Sequence, residues 1–206
     1  AGSGNNITLD TATNNFAAAV IITSGRDVEI KDEDALDLGA STVSGTYTVI
    51  AGGAVTDSGA LAVTGITTIA AGSSNNITLD HTSNNFQAAV RITSGNNVTL
   101  VDANAIDLGA STVSGTYAVT ATAGGDITDS GVLAISGTST FTVANGQNVT
   151  LDQSSTFATV TFTSAGTIAS VTINDSNALD LGALTLSGNL NVTAGGAVTD
   201  SGTLVV

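Results

Sequence analysis

Aspartate is the residue of this 206-residue chain whose type and spacing could do chemistry. It closes a short apolar stretch at Asp10, Asp32, Asp57, Asp80, Asp102, Asp129, Asp152, Asp175 and Asp200, at gaps of 22, 25, 23, 22, 27, 23, 23 and 25 along the chain. Carboxylates on equivalent corners of stacked units stand roughly 5–6 Å apart and repel by about 3 kcal/mol at a surface-like dielectric. Three arrangements relieve that repulsion. Asx-type hydrogen bonds to nearby backbone N–H groups are the plainest, and the Asp-Ser and Asp-Thr neighbours suit them. Splayed, solvated side chains are the second. The third is a bridging Ca²⁺, a hard cation that takes oxygen ligands; its candidate ligands are Asp32, Asp34, Asp57, Asp80 and Asp102. The densest acidic run, RDVEIKDEDALD (residues 26–37), is diluted to Asp102 and Asp107 in its later copy NNVTLVDANAID. That reads as surface drift or as one local cation site.

Other chemistry finds little material. The single His, His81, replaces Thr11 of an earlier copy of the same segment, and no Ser-His-Asp set assembles around it. Paired carboxylates serve glycosidases, but copies in every unit speak for architecture, so no enzyme is expected. Without Cys there is no disulfide and no thiolate. Three basic residues against 17 acidic ones give a net charge of −14, which repels phosphate backbones and argues against nucleic acid. Gly124-Gly125-Asp126 matches only the start of a calcium-binding GGxGxD nonapeptide. A flat ice-binding array would need Thr8, Thr78, Thr99, Thr150 and Thr172 on one face, yet Glu29 takes the equivalent place in one unit. The Asn pairs at 5–6, 14–15, 75–76, 84–85 and 96–97 read as turn formers whose amides stack between units. Sequons such as Asn6-Ile7-Thr8 lie in expected strands and are discounted as glycosylation sites.

A repeat must position these residues. NNITLD recurs at 5–10 and 75–80, and LGASTVSGTY at 38–47 and 108–117, both 70 apart. ALDLGALTLSG at 178–188 is a looser third copy, and TDSG starts at Thr56, Thr128 and Thr199. These offsets set a long period of about 70–73 residues, the mark of a repeat array. The Asp markers suggest three short units of about 24 residues inside it. Within each unit ITL, VEI, VTL and VTI alternate at period two with β-branched residues, and turn signals every five to ten residues leave no room for helices. FAAAV (16–20) and FQAAV (86–90) are read as strand approaches. With 42% hydrophobic residues and a mean hydropathy of +0.36, the chain is no disordered segment. No apolar run reaches the roughly 20 residues of a membrane span.

A unit this short cannot bury its own apolar face, but stacked units can. The expected fold is all-β, a right-handed parallel β-helix (β-solenoid) of about nine rungs of roughly 20–28 residues, one array over residues 1–206. The right-handed sense follows the general rule for parallel crossovers. One inward column is expected to run Ile7, Val28, Val55, Ile77, Val98, Ile127, Val149, Val171 and Val198. A second runs Leu9, Ile30, Leu79, Leu100, Leu151 and Ile173. The lack of Pro fits strands whose every N–H serves a ladder. The opening AGSGNNITLD reads as the middle of a pattern, so the chain is expected to be a fragment of a longer one.

With the recurring AGGAVTDSGALAVTG (51–65), NNITLD and ALDLGASTVSG segments, the whole chain resembles the repeat regions of filamentous haemagglutinin-like adhesins, bacterial surface proteins exported by two-partner secretion. The family's Asn-Pro-Asn-Gly secretion signals are not found, since the chain has no Pro. The resemblance implies a secreted or surface-attached, extracellular shaft or filament segment, mechanical rather than catalytic. Its partners would be further copies of itself, end to end or lateral, or host or biofilm surface glycans. The alternative is a carbohydrate-binding or carbohydrate-degrading β-helix.

Overall fold

The computed structural model describes residues 1–206. It contains 26 short strands and no helix, so no helix is long and apolar enough to cross a membrane. Every strand pairing is parallel, and neighbours in a sheet lie about one turn apart in sequence, which makes a parallel β-solenoid of about nine turns. Two long sheets run its length, one of ten strands and one of nine. Short lateral strands such as Ser41–Val43 and Leu61–Val63 bridge the edge between the two.

The register fixes the turn. In the nine-stranded sheet Leu36, Val55, Ile77, Val98, Tyr117, Ser139, Val160, Leu181 and Asp200 are successive partners. Leu36 and Asp200 are thus eight steps apart, and one turn takes about 20 residues, at the short end of solenoid units. This is shorter than the Asp spacing suggests, and it changes the relation between turn and repeat. The long sequence repeat spans three and a half turns rather than three.

Successive copies therefore land on opposite sheets. Ile7–Leu9, Val28–Asp32 and Tyr47–Ala51 belong to the ten-stranded sheet, whereas their copies Ile77–Leu79, Val98–Asp102 and Tyr117–Ala121 belong to the nine-stranded one. Leu36–Leu38 and Ile106–Leu108 exchange sheets the other way. The short lateral strand follows the nine-stranded sheet in the first repeat (Ser41–Val43 after Leu36–Leu38). It follows the ten-stranded sheet in the second (Ser111–Val113 after Ile106–Leu108).

The two expected columns are corrected accordingly. Ile7, Val28, Ile127, Val149 and Val171 lie in the ten-stranded sheet; Val55, Ile77, Val98 and Val198 lie in the other. The second column divides the same way, with Leu79 and Leu100 apart from Leu9, Ile30, Leu151 and Ile173. Thr78 and Thr99 part from Thr8, Thr150 and Thr172, so no single Thr face exists. The inward facing of the apolar residues is unchanged by this: Val28, Ile30, Val55, Ile77, Val98, Ile127 and Val171 are all buried. What stacks on Val28 is Tyr47, and Tyr47 in turn carries Thr67.

The recurring motifs turn out to be each other's partners. LDLGASTVSG (36–45) lies directly beneath VTDSGALAVTG (55–65), pairing Leu36 with Val55, Ser41 with Leu61 and Val43 with Val63. The second copies repeat this, Ile106 with Ile127 and Val113 with Ile135. The interior is one apolar cluster running unbroken from Ile22 to Leu186. The few aromatic residues gather in it. Tyr117 and Phe157 meet Phe141 edge-on, with centroids 6.3 and 6.2 Å away, and Phe162 stacks on it at 5.9 Å.

Candidate functional site

The regular carboxylates are not one ladder but three classes, each with its own task. Asp32, Asp102 and Asp175 are buried at the ends of their strands. Each accepts the N–H two residues on: Asp34 at 2.9 Å, Asn104 at 2.6 Å and Asn177 at 2.8 Å. Each also accepts the N–H of a Phe in the turn before: Phe16 at 2.8 Å, Phe86 at 2.7 Å and Phe157 at 3.2 Å. One carboxylate thus closes its own corner and staples it to the preceding turn. Burial raises the Asp102 carboxyl above the usual range, against the pull of its two N–H donors.

The Asp of the first two TDSG copies, Asp57 and Asp129, forms the second class and reaches forward. Asp57 accepts the N–H groups of Asp80 at 2.9 Å and His81 at 3.3 Å, and the side-chain amide of Asn84 at 2.6 Å. Its copy Asp129 accepts from Asp152 at 2.8 Å and Gln153 at 3.4 Å. Here the copies differ. Asn84 is replaced by Ser155, which still caps the backbone beneath it: Leu61 N–H donates to Asn84 Oδ1 and Leu133 N–H to Ser155 Oγ. Serine lacks the second arm, so Asp129 Oδ2 is buried without a partner. Burial raises the Asp57 carboxyl and pushes Asp129 up to about 6, with Asp152 and Asp107 adding like-charge repulsion.

Asp10, Asp80 and Asp152 form the third class, and their side chains are exposed. The five residues weighed as calcium ligands are therefore spread over all three classes. Asp32 and Asp34 share one corner, and the side-chain amide of Asn15 donates to Asp34 Oδ2 at 2.8 Å. Asp57 and Asp80 meet across turns through a backbone hydrogen bond. Asp102 stands apart on its own staple. No three His, Cys, Asp or Glu side chains converge as a metal-holding group. With both carboxylate oxygens of Asp32, Asp57 and Asp102 engaged by protein donors, added Ca²⁺ or chelator is expected to leave the melting midpoint unchanged. A midpoint raised by several degrees in Ca²⁺ would place a cation at these corners.

The acidic run around Asp27 is a surface feature. Arg26 meets Asp27 at 3.0 Å, both exposed, and the Thr46 backbone N–H, aided by Arg26, lowers the Asp27 carboxyl. His81 is a half-buried turn residue whose Nδ1 accepts Ser83 N–H at 3.2 Å. The Asn pairs are corner brackets: Asn75 donates to the Ala71 carbonyl, Asn76 Oδ1 accepts Asn97 N–H, and Asn96 donates to Asn76 amide-to-amide at 3.3 Å.

Sequence reasoning missed an open groove of about 300 Å³ walled by Asn85, Gln87, Asn104, Asp107 and Thr128. A counterpart of about 350 Å³ lies at the equivalent residues of the first repeat, among them Asn15, Asp34, Asp37 and Thr56. The signal was present as the pairing of the LDLGA and TDSG motifs, but the groove appears only once those motifs are set one above the other.

A family model described as "Repeats of unknown function (DUF5649)" matches residues 25–93, 95–164 and 168–206. Each of the first two matches has the length of one long repeat. No curated protein and no solved structure matches the chain.

Proposed function

The chain belongs to this family of repeats, and from that premise we propose that it is a structural shaft or filament segment of a secreted or surface-attached bacterial adhesin, mechanical rather than catalytic. The observation that carries the reading is the unbroken parallel register of the nine-stranded sheet, in which each turn is tied to the next along its whole length. Load along such a shaft is shared by ladder hydrogen bonds and by the carboxylate staples at the corners. The motif likeness to filamentous haemagglutinin-like repeat regions supports an extracellular setting and export by two-partner secretion.

Chains lengthened by further copies of residues 75–145 test this. X-ray scattering is expected to show an unchanged cross-section and a length growing by about 17 Å per copy, three and a half turns at about 4.8 Å each. A cross-section that grows while the length stays fixed would overturn the shaft. Immunogold labelling of the source cell checks the setting, and gold confined to the cytoplasm would remove the adhesin reading.

A further inference from the structure

We infer that Asn145 is a self-modification site, a side-chain amide that is lost to water only when the following turn parts from its own. Asn145-Gly146 is the only Asn-Gly dipeptide in the sequence. Glycine has no Cβ to hinder approach to its main-chain nitrogen. Gly146 is exposed, and nothing lies within 4 Å of a Cβ built on it. Asn145 is exposed as well, so water reaches the corner.

The chemistry takes only the chain and water. Gly146 N gives up its proton and attacks Asn145 Cγ. The new C–N bond closes a five-membered succinimide, the bond from Cγ to Nδ2 breaks, and the amide leaves with that proton as ammonia. Water then opens the ring. Addition at Cγ yields an ordinary aspartyl link. Addition at the other carbonyl yields an isoaspartyl link, in which the main chain runs through the side chain and is one methylene longer.

The fold ties both reacting groups to one residue of the next turn. Gly146 N–H donates to the Thr167 carbonyl at 2.8 Å, and Asn145 Oδ1 accepts Thr167 N–H at 2.8 Å. Gly166 packs against the same carboxamide, since a Cβ built there falls 2.2 Å from Asn145 Oδ1. One bond holds the proton that the nitrogen must lose, and the other fixes the carboxamide that it must attack. Ring closure therefore requires both to break. They join the corner after Thr138–Val143 to the corner after Thr159–Ser164, so breaking them is a local parting of two turns. When opening and reclosing are fast, the rate of conversion follows the open population. An isoaspartyl link displaces Gly146 by the added methylene, and Thr167 can then no longer hold both groups. One opening thus leaves a covalent record at this corner.

The experiment incubates the full chain in mildly alkaline buffer, folded and in urea, beside the free peptide Ala144–Asn148. Peptide mass spectrometry and isoaspartate methylation follow Asn145, and NMR hydrogen exchange follows the amides of Gly146 and Thr167. In urea the chain is expected to convert at the peptide's rate, and when folded to convert more slowly by about tenfold or more. That slowing should match the protection of the Gly146 amide within about threefold, because one opening gates both. Gly166→Ala, which pushes the carboxamide off Thr167, should raise the folded rate by about threefold or more and leave the rate in urea unchanged. Conversion of the folded chain at the peptide's rate, slowing unrelated to the protection of Gly146, or a wild-type rate in folded Gly166→Ala would each overturn the inference. The shaft reading is separate from it: rods that lengthen as expected but convert Asn145 as fast as the peptide sink this site alone.

Discussion

Gly131→Ala is expected to destabilise the protein by about 3 kcal/mol, the upper range of overpacking a close contact. A Cβ built on Gly131 falls 2.2 Å from the backbone N of Ala110, 2.8 Å from its Cα and 2.9 Å from the carbonyl carbon of Gly109. All three are main-chain atoms of the turn below, so no side chain can swing away. The ladder on either side is made: Ser130 N–H donates to Leu108 O and Ser111 N–H to Val132 O, both at 3.0 Å. Relief of the clash must lengthen one or both bonds. Gly59 faces Ala40 N at 2.3 Å in the same way, so the Gly of TDSG is the point where two motif copies touch.

The comparison that isolates contact from conformation is Gly146→Ala. Gly146 has φ of +78° and nothing within 4 Å of its built Cβ, so alanine there meets only the backbone preference, about 1 kcal/mol. Thermal melts should place Gly131→Ala roughly 6–12 °C below wild type, at about 2–4 °C per kcal/mol for a chain of this size, with Gly146→Ala between them. Equal midpoints for Gly131→Ala and wild type would show that the turns separate freely at this corner.

These contacts mark where the sequence stops being legible. Strand character and inward facing could be read because β-branched residues alternate, and Val28, Ile30, Val55 and Leu100 are buried as their pattern demands. The turn length could not, because like residues attract comparison with like. Ile7 and Ile77 occupy identical motifs, yet they lie in different sheets, and the true neighbour of Val28 is Tyr47. An interior column mixing Val, Tyr and Thr carries no periodic signal. The carboxylates failed for the same reason. One residue type at near-even spacing looked like one ladder, whereas burial separates Asp32 and Asp102 from Asp80. What each carboxylate accepts is set by residues one turn away, and one turn is a distance that the sequence repeat does not display.

Asp129 carries the second large effect, in pH rather than packing. Its side chain belongs to a residue only 7% exposed, so water screens little of its charge. Its folded pKa of about 6 lies above the unfolded value of about 3.9. A group raised on folding contributes stability that is complete below the unfolded value and is lost as pH rises through the folded one. Between pH 5 and pH 7.5 that loss is about 1.4 kcal/mol, and the raised carboxyls of Asp57 and Asp102 act in the same direction. The protein is thus expected to resist urea better at pH 5 than at pH 7.5. The cause is local, since Asp129 Oδ2 lacks the amide that Asn84 gives Asp57 at 2.6 Å. Ser155→Asn supplies that arm and keeps an acceptor for Leu133 N–H. It should add about 1–2 kcal/mol at pH 7.5, the cost of an unsatisfied buried acceptor, lower the Asp129 pKa in an NMR titration, and flatten the stability profile. Asn84→Ser is the mirror experiment: it leaves Asp57 with backbone donors alone, costs a similar amount at pH 7.5, and should give the first repeat a pH step of its own. If Ser155→Asn kept the wild-type slope between pH 5 and 7.5, the missing amide would not be the source of that slope, and repulsion among the exposed carboxylates would have to supply it.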